Sequence, residues 1–290
     1  MKKLEPLLFE EDFHAALWGG ERWLVSVHSA APSVVKGGAF AGRRLDDLVE
    51  AYGAALVGER AGGRFPLLIK DIDAKRRLSV QVHPNEATAP AVGGEPKTEM
   101  WHVLSAEAGG ALFAGIKPGT KAAELASAVQ DGRFEDLLIR HEVQPGDAVF
   151  VPGGLVHAIG DGVRVFEVQQ SSNTTYRLYD WGRVGADGRP RQLHVKEGLA
   201  TADLGTVPVV VRGTLACPFF RVKPRQVVGT LPLAAKPTSF RVLFAKTGAF
   251  EVQVEGRSWP VAEGAAVLLP AALPAVRLVS ERAEILDVSL

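Results

Sequence analysis

Short apolar or β-branched runs closed by glycine, proline or aspartate recur along this chain and constrain its fold more than any other feature. Leu67–Ile72, Leu78–Val82, Ala148–Pro152, Val163–Val168, Arg241–Ala245, Phe250–Val254 and Ala265–Leu269 are of this kind. Runs of that length between turn residues predict many short strands in a sandwich or barrel. The 31 glycines and 18 prolines supply the turns such an architecture needs. Helical periodicity is scarce by comparison. Leu45, Leu48, Val49, Tyr52, Ala55 and Leu56 share one face at helical spacing and predict a helix there. Thr120 is the expected cap of a second helix, Ala122–Val129, which ends at Asp131-Gly132, and Phe134–Ile139 is expected to add a further turn. These helices do not alternate regularly with the strands, which argues against a doubly wound sheet or a (β/α)8 barrel.

Charge and cysteine usage narrow the partners. Lys and Arg number 33, Asp and Glu 33, and the sequence pI is about 7.1. Nucleic-acid and anionic-membrane surfaces carry a basic excess, so neither partner is expected. Cys217 is the single cysteine, which rules out an internal disulfide framework and a cysteine-rich zinc module. Lys2, Lys3, Glu5 and Glu10 interrupt the start, so no signal-peptide pattern forms. No window offers the roughly 18 uninterrupted apolar residues of a membrane span. The expectation is a soluble cytoplasmic protein, monomeric or homodimeric. A boundary near Gly205–Gly213 divides it into a first domain over residues 1–210 and a second over 211–290, the latter almost wholly strand and turn.

Two histidines stand in informative settings. In Leu78-Ser79-Val80-Gln81-Val82-His83-Pro84, alternation puts Ser79, Gln81 and His83 on one strand face and Leu78, Val80 and Val82 on the other. An amide and an imidazole at i and i+2 can converge on one atom, and Pro84 ends the ladder. The second setting is Gly146-Asp147-Ala148-Val149-Phe150-Val151-Pro152-Gly153-Gly154-Leu155-Val156-His157. Here a turn leads into a buried strand, and a Pro-Gly-Gly turn then aims His157 inward. The order glycine, five residues, then Pro-x-Gly-x-x-His is that of the second cupin motif. A lone histidine is more often structural than ligating; two in barrel contexts, one beside Gln81, raise the prospect of a metal. Glu99, in Lys97-Thr98-Glu99-Met100-Trp101, is a candidate carboxylate, although from local context alone it reads as a solvated loop acid.

Leu78–Pro84, Lys97–Trp101, Pro152–Ala158 and Val165–Trp181, in that order, resemble type I mannose-6-phosphate isomerases, especially the short bacterial form, and Trp18-Gly19-Gly20 adds to the likeness. The resemblance spans residues 15–200. It implies a mainly β fold of two cupin-like barrels (jelly rolls) with a few short helices. It also implies that Gln81, His83, Glu99 and His157 ligate one Zn2+, a mixed N/O site that other divalent ions could share. The family's active-site arginine falls on Arg177, ten positions after Glu167, and its lysine two before the ligand glutamate falls on Lys97. The chain departs from the longer members in two ways. Only 56 residues separate Met100 from His157, too few for their helical insertion, and Ile159 stands where they tend to carry an aromatic residue.

The activity implied is interconversion of mannose 6-phosphate and fructose 6-phosphate, with the sugar phosphate as partner. A proton moves between C1 and C2 through an enediol(ate), and a divalent ion can stabilise the charge that develops. Glu167 and Lys97 are both candidate bases. Arg177 offers a cationic fork for phosphate or for the enediolate oxygens, and Ser79 a hydroxyl for phosphate. The competing expectations are a cupin isomerase for another sugar phosphate, such as glucose 6-phosphate, and a non-catalytic sugar- or metal-binding bicupin. Gly264–Pro270 repeats the glycine-to-proline spacing, but Ala275 stands where the first barrel has His157, and Gly213–Leu290 lacks histidine. The second domain is therefore expected to carry no metal ligands.

Overall fold

A computed structural model describes residues 2–185 and 188–290. Its first strands are β1 (Leu7–Leu8), β2 (Phe13–Ala16), β3 (Gly19–Val25), β4 (Leu67–Ala74), β5 (Val80–Val82), β6 (Glu99–Ala106) and β7 (Ala111–Ile116). Next come β8 (Leu138–Glu142), β9 (Asp147–Val151), β10 (His157–Ile159), β11 (Val163–Gln170), β12 (Tyr176–Tyr179) and β13 (Val209–Arg212). The last are β14 (Leu215–Ala216), β15 (Arg221–Leu233), β16 (Arg241–Thr247), β17 (Phe250–Val254), β18 (Arg257–Val261), β19 (Ala266–Leu269) and β20 (Val276–Ser289). Helices are short: α1 (Leu45–Tyr52), α2 (Ala54–Val57), α3 (Ala89–Val92), α4 (Ala122–Gln130) and α5 (Val195–Thr201). The chain is mainly β with barrel-like sheets of the cupin kind. No helix among the described residues is long and apolar enough to cross a membrane.

The chain folds into two compact units. One comprises Phe13–Arg22 and Lys70–Arg212; the other comprises the segment up to Asp12, Trp23–Ile69 and Gly213–Leu290. The segment up to Asp12 and Trp23–Ile69 thus belong with the last residues, Gly213–Leu290. Long-range pairing is the reason. β1 pairs antiparallel with β19, Leu7 opposite Leu268, and Phe65 packs on Phe240 with ring centroids 4.6 Å apart. In this unit β16, β17 and β20 enclose an apolar core that includes Val227, Leu243, Val252, Val267, Leu278 and Ile285. At its edge the buried Asp287 is held by Arg225 and Arg241, each at 2.7 Å.

In the unit of Lys70–Arg212, one sheet runs β13-β9-β6-β11-β4-β3-β2 and a second β12-β5-β10-β7-β8. Strand alternation explains how this unit is both apolar and reactive. Val103 and Trp101 on β6, Val163 and Val165 on β11, and Ile72 and Ala74 on β4 point into one core. Continuing each row by two residues brings in Glu99, Glu167 and Lys70. The register aligns them: Val165 lies opposite Val103, Glu167 opposite Trp101 and Gln169 opposite Glu99. Thus the barrel interior is greasy along most of its length and charged at one end.

Helix boundaries differ from the sequence reading where local chemistry intervenes. The helix over 45–56 is split into α1 and α2 because Gly53 adopts φ 48°, outside the helical region. Lys121, not Thr120, precedes α4; the Thr120 hydroxyl donates to Lys117 O at 2.8 Å and closes a turn instead. Phe134–Leu137 is a 3-10 turn, after which Leu138 enters β8. The strand expected over Leu78–Val82 begins at Val80, and Leu78 packs with Trp18 and Trp101 rather than with Val80 and Val82.

Candidate metal centre and active site

The charged end of this unit opens into a cavity of about 280 Å3, near the lower end of the ~300–1,000 Å3 usual for ligand pockets. Two turns bring His157, which lines the cavity, together with His83, which does not line it but packs on His157 with ring centroids 4.8 Å apart. Gly154, with φ 96°, donates its N–H to His83 O at 2.8 Å. A Cβ on neighbouring Gly153 would lie 2.7 Å from Pro84 O, so only glycine allows the His83 and His157 loops to meet so closely. β10 then lies beside β5, with His157 opposite Gln81, and β12 continues the row with Arg177 opposite Gln81. Arg177, Gln81 and His157 therefore form one row across three strands.

His83, Glu99 and His157 are all buried, and their candidate ligand atoms lie within 4.8 Å of one another. His157 Nε2 is 3.3 Å and His83 Nε2 3.6 Å from the Glu99 carboxylate. His157 Nδ1 donates to Leu155 O at 2.8 Å. A carbonyl only accepts, so the proton is on Nδ1 and Nε2 keeps its lone pair. His83 Nε2 faces the Lys97 ammonium at 3.0 Å and is likewise an acceptor. Burial, reinforced by Lys97, holds the His83 pKa well below its usual value, and burial brings His157 down to about 4. Both rings are neutral at neutral pH.

This donor set fits a divalent ion. Two unprotonated ring nitrogens face one buried carboxylate, and Glu99 Oε2 receives no hydrogen bond although Lys97 Nζ lies 3.1 Å away. Distance alone makes that contact an ion pair; its angles leave the oxygen's lone pairs open. Gln81 lines the cavity, and its amide nitrogen donates to Ser79 Oγ at 3.1 Å, which leaves its carbonyl oxygen as the atom that could ligate. Imidazole nitrogen with carboxylate or amide oxygen suits zinc and related ions.

The other residues singled out from sequence also border this cavity. Ser79, Lys97, Glu167 and Arg177 all line it. Arg177 donates from Nε to Ser79 Oγ at 3.2 Å and from Nη1 to Gln192 O at 2.8 Å. It does not pair with Glu167. The Glu167 carboxylate instead accepts from Trp101 Nε1 at 2.9 Å and faces Lys70 Nζ at 3.7 Å. Burial, with Glu99 nearby, raises the Glu167 pKa, against the opposing charges of Lys70 and Lys97. Burial disfavours the Lys70 charge, but Glu167, Glu21 and Glu99 outweigh it and leave its pKa raised.

Lys70, Glu21, Trp101 and Arg191 line the cavity without having been singled out. A signal existed for Lys70. It interrupts the otherwise apolar Leu67-Leu68-Ile69, and a charge inside such a run must be paired once buried. Glu21 at 3.3 Å helps to meet that need.

Comparisons with known proteins point to one family. Residues 10–102 match the family model for the phosphomannose isomerase type I catalytic domain. The chain is 38% identical over 222 residues to mannose-6-phosphate isomerase ManA of Bacillus subtilis, covering 70% of each chain. It is 32% identical over 295 residues to the mannose-6-phosphate isomerase of Streptococcus mutans, covering 92% of each. The crystal structure of the Bacillus subtilis mannose 6-phosphate isomerase superposes with a TM-score of 0.88 at 28% identity, over 99% of this chain and 100% of that one.

Proposed function

The chain belongs to the type I phosphomannose isomerases, and from that premise we propose that it interconverts mannose 6-phosphate and fructose 6-phosphate in the cavity bordered by His157 and Arg177. The convergence of His83, Glu99 and His157, of which Glu99 and His157 line the cavity, carries this reading. Gln81, His83, Glu99 and His157 would hold a zinc ion, which when bound acts as a Lewis acid toward the sugar oxygens.

The chain's own residues supply the rest. The barrier is removal of a proton from carbon next to a carbonyl, and a general base contributes about 10²–10⁴-fold when it is within hydrogen-bond reach. Glu167 is suited to that task. Burial raises its pKa, so its carboxylate is a stronger base than an exposed one, and the Trp101 indole fixes the direction of its free oxygen. Lys97 lies across the same cavity and can return a proton to, or donate a hydrogen bond to, the adjacent sugar oxygen. Lys70 keeps a compensating positive charge beside Glu167 throughout. Arg177, anchored by Ser79 and Gln192, offers its remaining edge to the substrate. The buried Trp101 and Ile159 exclude water from the inner wall.

The test is a metal analysis of the purified protein with turnover measured on mannose 6-phosphate and glucose 6-phosphate, before and after chelation. The expected result is about one zinc per chain, preference for mannose 6-phosphate, and chelator-sensitive activity restored by zinc. Metal-free protein with full activity would refute the metal assignment, and preference for glucose 6-phosphate would refute the substrate.

A further inference from the structure

The outer end of the cavity carries more positive charge than the fold requires. Asp180, directly after β12, is 5% exposed. Its carboxylate takes Nε and Nη2 of Arg191 at 2.7 and 2.6 Å and Nη2 of Arg183 at 2.5 Å. Arg183 is otherwise committed to backbone, donating to Arg77 O and Asp180 O. Arg191 is not: its Nη1 has no acceptor among the described residues, and its side chain lines the cavity with Arg177, Ser79, Asn173 and Thr175. Arg177 pairs with no carboxylate among the described residues, and its charge is disfavoured by burial and by Arg191 and Arg183 nearby. Two guanidiniums thus share one carboxylate with a third nearby, and two of the three, Arg177 and Arg191, line the cavity, where charges are screened less than in bulk water.

We infer that Arg191, set in place by Asp180, is the second arm of an anion clamp that grips the substrate's phosphate together with Arg177. The inference rests on the sugar-phosphate reading above and deepens it. A phosphate group supplies the negative charge this end lacks, and planar guanidinium forks match its oxygens. Position agrees with chemistry. Arg177 is two strands from His157 in one row, about 10 Å at the usual strand spacing, and a hexose 6-phosphate carries its phosphate at the end opposite its carbonyl. Asp180 touches no substrate in this arrangement; it is a positioning residue whose two oxygens fix the plane of the Arg191 fork.

Arg191→Met tests the clamp. Loss of one charge-assisted contact predicts a KM for mannose 6-phosphate raised about 10- to 100-fold, with kcat changed much less. Competitive inhibition by inorganic phosphate should weaken in parallel. Arg191→Lys, which keeps the charge but loses the fork, should fall between wild type and Arg191→Met. Asp180→Asn should raise KM in the same sense, and adding it to Arg191→Met should raise KM little further, as expected of residues acting in one contact. Inorganic phosphate binding measured by calorimetry on wild type and Arg191→Met separates this inference from the catalytic reading. A wild type that binds phosphate through Arg191 but does not isomerise mannose 6-phosphate would overturn the function and keep the clamp. Equal phosphate binding and equal KM in wild type and a folded Arg191→Met would overturn the clamp.

Discussion

The Lys97 ammonium lies 3.0 Å from His83 Nε2 and faces Glu99 Oε2 at 3.1 Å, so a side-chain cation stands among the same groups that fit a divalent ion. Two positive charges there compete for one carboxylate. Lys97→Met is therefore expected to bind zinc more tightly, by about threefold or more, while turnover falls on the order of 100-fold from loss of an acid–base group. Competition against a chromophoric chelator and a steady-state assay measure the two effects, and weaker zinc binding by the variant would contradict the charge argument.

Protonation of the imidazoles gives a stability signature in metal-free protein. The folded His157 pKa is about 4, below its unfolded value of about 6.5. Between those values the unfolded chain binds a proton that the folded chain refuses, so stability rises with pH and is lost as pH falls. For His157 alone the loss from pH 7 to pH 5 is about 2 kcal/mol. His83, shifted in the same direction, adds to it. Urea unfolding of metal-free wild type and His157→Gln at the two pH values checks this: the variant should show the smaller drop.

Lys70 sets the ionisation of Glu167. Its positive charge, 3.7 Å from Glu167 Oε1, opposes the burial that raises the carboxyl pKa. Lys70→Met removes that opposition, so the Glu167 pKa climbs further and the carboxylate form is lost at a higher pH. The acid limb of the kcat/KM profile should shift upward by about one pH unit or more. An unshifted limb would show that Glu167 is not the group titrating there.

Truncation after Arg212 should abolish cooperative folding of what remains of the unit that Gly213–Leu290 completes. Leu56 O and Val57 O accept from Ala271 and Phe240 N–H groups, and Phe65 packs on Phe240. Without Gly213–Leu290, the buried Leu45, Leu48, Leu56 and Val57 lose their enclosure, at about 1.5–3 kcal/mol per large side chain returned to water. Solubility and calorimetry of a 1–212 fragment provide the measurement; a soluble fragment with the full chain's unfolding enthalpy per residue would contradict this.

Much of the site was legible because its signals are local. The glycines and proline of Gly146–His157 serve the turns that aim His157, and period-two alternation on either side of Gln81 separates cavity from core. Glu99 was ambiguous from neighbours alone, since only its register beside β11 places it inside the barrel. Lys70 could have been flagged by its apolar surroundings, whereas the Asp180–Arg191 bond spans a loop with no periodicity to read. Unit membership was hidden for a similar reason. The pairing of Leu7 with Leu268 joins residues far apart in the chain, and no local propensity encodes it.

The row from Arg177 through Gln81 to His157 has a fixed length. Its span is set by hydrogen-bonded ladders, not by loops, so it works as a fixed gauge. A one-residue slip of β5 would turn Val80 and Val82 toward the cavity and bury Gln81 in the apolar layer. If the proposed substrate lies along this row, a shorter phosphorylated sugar would not be accommodated by drawing the two ends together, and selection by chain length would be inherited from the backbone itself.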